Sequence, residues 1–317
     1  MEDFDIFEEG YVEPKAEERA ALIAELQSGD FTLSFSSLTA FAVSPAAFIA
    51  YKLQERKTTK AMLLGEVVHC KVLEPDYFEE RYHVMPVVNA ATVEGKKEWA
   101  DVYTKFLKKE LPVNKQGNPI IPKVDDIVAQ IKEGTKKVDE SGRIIFPGIT
   151  VLPGTVVEEG SFRARKLISN RACRHVLNQI EYTEKRVKFD FCDLKFRGVI
   201  DGGGNGIIAD LKNMPDATLE NAQRAIWGRR LHWQAFGYDA AIGGGNRCHI
   251  LAVDGNGETS VHAFSIRNLD SAERQMQKTC QAFKSCVVES LYDPEVWSMS
   301  QDFWLRTEMN PVGINYL

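Results

Sequence analysis

Residues 197–212, Arg-Gly-Val-Ile-Asp-Gly-Gly-Gly-Asn-Gly-Ile-Ile-Ala-Asp-Leu-Lys, constrain this chain more than any other stretch. Phe196 to Asp201 reads as a strand whose apolar residues run to a terminal carboxylate. Gly202, Gly203, Gly204 and Gly206 then read as a tight reversal, because glycine takes positive φ without steric cost. Ile207-Ile208-Ala209 is a buried return strand, with Asp210 and Lys212 at its far end. Residues two apart on a strand share a face. Asp210 and Lys212 therefore project together, toward wherever Asp201 lies across the hairpin. Two carboxylates and an ammonium closing an apolar hairpin are costly to bury without a use or a partner. Carboxylate oxygens suit Mg²⁺ or Mn²⁺, and a lysine beside such an ion can hold or deprotonate an attacking water. The plainer reading is an exposed Asp210–Lys212 ion pair at a strand end. A calcium loop does not fit, since Gly203 and Lys212 occupy its third and twelfth positions. A dinucleotide fingerprint fails at Ile207, where its third glycine is required.

A chain of 317 residues, 44% hydrophobic and 26% charged, can bury a sizeable core as one large domain or two small ones. No apolar run approaches the ~18 residues of a membrane span. The first residues, Met-Glu-Asp-Phe-Asp, are acidic and unlike a signal peptide, which sets an expectation of the cytoplasm. The six cysteines (70, 173, 192, 248, 280 and 286) are scattered and lack a C-x-x-C, as expected of reduced thiols without a zinc site or disulfide framework. The net charge of −6 is unevenly spread. Residues 1–30 hold ten acids against Lys15 and Arg19, so an acidic arm precedes a mildly basic body, 31–317.

Along the chain, 1–13 reads as a disordered or loosely docked acidic stretch and 13–27 as a helix. Ser34 is a helix cap for a run to Tyr51 that Pro45 divides in two. Ala61 to Leu73 is amphipathic and carries His69, which on spacing alone is more often a satisfied core residue than a ligand. Tyr82 to Val88 reads as a strand, with helices at 95–107 and 124–138. The ten lysines between 96 and 137 are interleaved with acids and read first as a solvated face. A helix over 161–179 carries Arg163 and Arg165. A strand at 187–191 pairs with 194–201. Residues 219–241 are helical, with a possible break at Gly228, and carry Arg224, Arg229, Gln234 and Tyr238; the last two share a face at i,i+4. Strands at 247–253 and 261–266 precede a helix over 270–292. The whole is α/β, a mixed central sheet flanked by helices.

Several of these stretches together resemble one family. Asp201…Asp210-Leu-Lys212 resembles the signature of the PD-(D/E)XK nucleases. Gly65-Glu-Val-Val-His69, running on to Leu73-Glu-Pro75, resembles the histidine motif of their RecB-like branch, and Gln234-Ala-Phe-Gly-Tyr238 its Q-x-x-x-Y helix. Ser34-Phe-Ser36-Ser37-Leu38, Gly95-Lys-Lys-Glu-Trp99 and Leu231-His-Trp-Gln add further matches. The set, spread over 34–305, resembles the RecE-type exonucleases (exodeoxyribonuclease VIII) of phages and prophages, with a helical elaboration before the nuclease core.

The resemblance implies that Asp201, Asp210 and the Leu211 carbonyl hold Mg²⁺, with Mn²⁺ a possible substitute. It implies that His69 is a ligand or supporting group for a second ion, and that Lys212 positions or activates water. Glu184 would be an additional acid, with Glu181 a competitor for that place. Gln234 and Tyr238 would flank the reacting nucleotide, and Arg224, Arg229, Arg163 and Arg165 would contact DNA. The activity implied is resection of the 5′ strand at double-stranded DNA ends, leaving a 3′ tail. A single-strand annealing partner of the RecT type and a ring of three or four subunits are implied with it. Two other readings stand beside this one. A non-catalytic end-binding scaffold is disfavoured by the intact Asp201, Asp210, Lys212 and His69. Another RecB-like module, of the iron–sulfur kind, is disfavoured because no C-x-x-C follows Lys212.

Overall fold

The computed structural model describes residues 15–54, 58–85, 87, 89, 91–117, 119–138 and 144–301. The described residues fall into two compact units. The first comprises 15–54, 170–252 and 258–301; the second runs from 58 to 169 and adds 253–257.

The first unit opens with α1 (Ala16–Ser28), which stops at Gly29 in the left-handed region, φ 73°. Its Leu22, Ile23 and Leu26 are buried in the unit's main core. The second half of the acidic stretch is thus held by apolar packing; the stretch expected to be disordered, 1–13, lies outside the described residues. Ser34 starts α2 (Phe35–Val43) through a reciprocal capping box with Ser37. Pro45 divides the next run as expected. Ser44 accepts from the Ala47 N–H and opens α3 (Pro45–Leu53), with the proline at the first turn, where no N–H is needed.

In the second unit, Thr59 caps α4 (Lys60–Leu73). The short α5 (Phe78–Arg81) feeds β1 (Tyr82–Val84). Two longer helices follow, α6 (Val93–Leu107) and α7 (Val124–Thr135). The lysines at 96, 97, 105 and 109 are exposed on this pair and after it, as a solvated face requires. β2 (Lys137–Val138) and β3 (Ile144–Phe146) pair antiparallel, and β4 (Thr150–Leu152) runs parallel to β1. α8 (Gly154–Ser169) packs on α4; a Cβ at Gly160 would lie 2.5 Å from Val67, so glycine permits the close approach.

Back in the first unit, Asn170 accepts from the N–H groups of Ala172 and Cys173 and starts α9 (Arg171–Leu177). This cap splits the single helix expected over 161–179. Five strands follow in the spatial order of the chain: β5 (Tyr182–Phe191), β6 (Leu194–Gly204), β7 (Ile207–Asn213), β8 (Arg247–Val253) and β9 (Thr259–Ala263). β5–β6 and β6–β7 are antiparallel hairpins. From β7 to β8 the chain crosses over through α10 (Leu219–Gly228) and α11 (Leu231–Ala241), broken at Gly228 as expected. Ser265 caps α12 (Ile266–Glu289), so the last strand ends and the last helix begins a few residues earlier than periodicity suggested. The chain is therefore mixed α/β. Its largest buried side chains include Phe41, Phe48, Phe283 and Trp297, whose rings pack edge-to-face or tilted at 5.0–6.3 Å. Each such side chain contributes about 2–3 kcal/mol by burial.

The glycine-rich hairpin is tighter than expected. Gly202 and Gly203 belong to β6, and the reversal is Asn205-Gly206 alone, φ 50° and 72°, the two-residue turn favoured by strand twist. Gly203 is required instead by the ring of its cross-strand neighbour Tyr182, which fills the space of a Cβ. All six cysteines are free thiols. Among the described residues no helix is long and apolar enough to cross a membrane.

Candidate metal centre

Register brings three carboxylates into line. Thr183 pairs with Gly202 and Lys185 with Ile200, so Glu184 stands opposite Asp201. The β6–β7 ladder ends at Gly202–Ala209; Asp201 and Asp210 lie one position beyond it on their strands, and the charges of both act on Lys212. Directly opposed residues point to one face of a sheet. Glu184, Asp201 and Asp210 therefore form a row across β5, β6 and β7. Glu184 and Asp201 each offer a carboxylate oxygen within 4.8 Å of the other's.

The backbone is irregular at this row. The β6–β7 ladder covers Gly202–Gly204 and Ile207–Ala209 and stops there. Beyond it, the Asp201 carboxylate accepts the Leu211 N–H at 2.8 Å, so a side chain replaces a backbone partner. Leu211, whose carbonyl the resemblance implies as a ligand, is thus tied to the site by its N–H. On the other side, Glu184 has φ 49°, a left-handed conformation that a residue with a Cβ adopts at some cost. Glu181, the competing acid, lies at the far end of the hairpin, where its N–H donates to the Gly203 carbonyl at 2.9 Å. Glu184 is therefore the acid beside Asp201.

Asp210 and Lys212 face the same way, as their spacing requires. The ammonium reaches both Asp210 oxygens, at 2.8 and 2.7 Å. This is no exposed surface pair, because Asp210 is 4% exposed. Burial alone would lower the Lys212 pKa, but the charges of Asp210 and Asp201 outweigh it and the net displacement is upward. Lys212 is thus placed beside both carboxylates, where its amine can orient a water or a phosphate oxygen. From α11, Gln234 donates to Asp210 at 3.2 Å and to the Tyr238 hydroxyl at 2.8 Å. Burial, then the Asp210 charge, raises the Tyr238 pKa, so the phenol stays protonated.

Sequence reasoning missed how Tyr238 is placed. Its ring packs edge-on against Phe35 at 5.3 Å and lies against Gly198, where a Cβ would come within 2.5 Å. Phe35 follows the Ser34 cap, and a capped helix opening on an aromatic residue was the available signal.

The other expected residues divide between the units. Arg224 and Arg229 are exposed on and just after α10, and Arg224 is bonded to Glu220 and Asn221, each at 3.0 Å. His69, Arg163 and Arg165 belong to the second unit. There His69 is half-buried on α4, Arg165 is exposed on α8, and Arg163 is ion-paired with Glu159.

The donor set fits a hard divalent cation. It offers buried or opposed carboxylates at one level of a sheet, with no thiolate among them. Ligand oxygens around one Mg²⁺ lie roughly 3 Å apart when adjacent and about 4 Å apart when opposite. Glu184 and Asp201 need only a small adjustment to share one.

No protein-family profile matches the chain, and no curated protein matches it significantly. Among solved structures, a chain from Eubacterium rectale, provisionally described as an exonuclease, is similar at 10% identity and a TM-score of 0.46. That match covers 90% of this chain and 87% of the other. At this distance the likeness assigns no chemistry.

Proposed function

We propose that this chain is a Mg²⁺-dependent exodeoxyribonuclease of the RecB-like PD-(D/E)XK kind, acting on double-stranded DNA ends. The observation that carries the reading is the row Glu184–Asp201–Asp210 on three adjacent strands, with Lys212 bonded at its end. A divalent ion bound there would supply Lewis acidity and a water of lowered pKa. The residues themselves set the rest. Asp201 and Asp210 would hold the ion, and Glu184 would share it. Lys212 would donate a hydrogen bond to the attacking water or to the phosphate oxygen that gains charge. Gln234, bridging Asp210 and Tyr238, fixes the carboxylate's orientation. His69 is proposed as an additional ligand on the strength of its motif.

By the same resemblance, the enzyme would degrade the 5′ strand, work with a RecT-type annealing protein in the cytoplasm, and assemble as a ring of three or four copies around its DNA. Digestion of linear duplex with and without Mg²⁺, one strand labelled at 5′ and the other at 3′, tests activity and polarity together. Mg²⁺-dependent loss of the 5′ label as mononucleotides is the expected result. Binding without cleavage would replace the enzyme with an end-binding scaffold. Light scattering tests the ring, and a monomer at micromolar concentration would refute it.

A further inference from the structure

The hairpin between β5 and β6 turns on Cys192 and Asp193, both with positive φ, 53° and 61°. Glycine and asparagine are the usual occupants of such a turn, and a cysteine brings it no local hydrogen bond. The side chains of these two residues are received by one face of α12. Lys284 donates to Asp193 at 3.0 Å. One helical turn earlier, Cys280 belongs to the core cluster against which Cys192 packs, and the two thiols act on each other's titration. Positions 280 and 284 are i,i+4 and lie one above the other, so two adjacent turn residues dock on two stacked helix residues. Cys280 is fully buried, whereas Cys192 is partly open to solvent.

We propose that Cys192 and Cys280 form a reversible intramolecular disulfide that clamps the tip of the β5–β6 hairpin to α12. With a peroxide as oxidant, the Cys192 sulfur attacks a peroxide oxygen and releases one water, giving a sulfenic acid. The Cys280 sulfur then attacks the Cys192 sulfur; the Cys280 proton and the sulfenic hydroxyl leave as a second water. Two thiols and one peroxide become one disulfide and two waters. Burial raises the pKa of both thiols, and Lys284 opposes that rise. The exchange is therefore slow at neutral pH and responds to sustained oxidation. In a reducing compartment such a bond is transient and regulatory. This inference is independent of the nuclease reading, although the clamped hairpin carries Glu184 and Asp201.

The test is oxidation of the full chain with hydrogen peroxide, followed by denaturation, alkylation and peptide mass mapping. Two of the six thiols should be lost, with a peptide linking 192 to 280 that dithiothreitol reverses. The oxidised chain should melt about 5–10 °C higher, because the link closes a long loop of the unfolded chain. Cys192→Ser, at the accessible end, should keep its remaining thiols under the same treatment and melt like the reduced wild type. Retention of all six thiols, a Cys192 sulfinic acid without a link, or links only between chains would each overturn the proposal.

Discussion

The Asp201 carboxylate accepts the backbone N–H of Leu211 at 2.8 Å. One side chain thus closes the end of the β6–β7 pairing and presents an oxygen to the acidic row. The two roles separate by substitution. Asp201→Asn keeps an oxygen for the Leu211 N–H and loses the charge; its melting temperature should stay within a few degrees of wild type while Mg²⁺-dependent cleavage falls at least 100-fold. Asp201→Ala also strands a buried N–H and should lose a further ~1–3 kcal/mol in a denaturant titration. Equal stability of the two variants would show that the bond contributes nothing.

On spacing alone, Asp210 and Lys212 read as an exposed ion pair at a strand end. Burial changes that expectation. Removing one partner of a buried pair leaves a charge uncompensated, at a cost of several kcal/mol, whereas removing both costs less. Lys212 retains some exposure, 25% of its side chain, so about 2 kcal/mol is the expected loss for Lys212→Met. Asp210→Asn combined with Lys212→Met should be less destabilised than the sum of the single changes. Additive losses in urea would place both groups in effective contact with water. Cleavage should vanish in all three variants.

How much of this was legible before the structure depended on the range of the interaction. The hairpin, the Asp210–Lys212 face, the Ser34 cap and the Pro45 break are local, and each was readable from the residues that cause it. The choice between Glu181 and Glu184 was not, because it depends on β5–β6 register, which is a property of two strands. The split of α8 from α9 turned on Asn170 acting as a cap within an otherwise continuous pattern. Strands of two or three residues, such as β2 and β4, carry no periodicity at all. The Leu211 N–H bond was hidden because a side chain takes a place that pattern reasoning gives to backbone.

Gly206, φ 72°, faces open space, so an added methyl group meets nothing and only backbone strain is tested. Gly206→Ala should cost about 1 kcal/mol through φ alone. Gly203→Ala must displace the Tyr182 ring and should cost more, with cleavage also reduced, because Tyr182 lies two residues from Glu184. A reversed order of stability would contradict the Asn205-Gly206 turn.

Residues 1–14 hold six acids and no basic residue. We propose that this charge competes with DNA for the basic body. A truncation confined to 1–14 spares α1 and its core contacts, so a folded chain remains for the binding measurement. DNA affinity at low salt should rise, and the gain should shrink as salt screens the charge. Unchanged low-salt affinity would assign the segment another task.

Acid lability should come from histidines. Burial lowers the pKa of His232, His249 and His262 below their ordinary 6.5. His232 is 3% exposed; its Nε2 lies 3.1 Å from the Gln275 oxygen, and its Nδ1 has no hydrogen-bond partner among the described residues. A depressed folded value means that the unfolded chain takes up protons first. The stability these neutral rings allow is complete above about pH 6.5 and is lost as pH falls through their folded values. Each unit of depression corresponds to about 1.4 kcal/mol once both states could be protonated. Glu66 is displaced the other way, upward through burial, so its protonation opposes the histidine loss on the acid side. The melting temperature should fall steadily from pH 7.5 to 5.5, and His232→Gln, which can still bond Gln275, should flatten the fall. A melting temperature level from pH 7.5 to 5.5 in the wild type would mean that these rings are not held neutral by the fold.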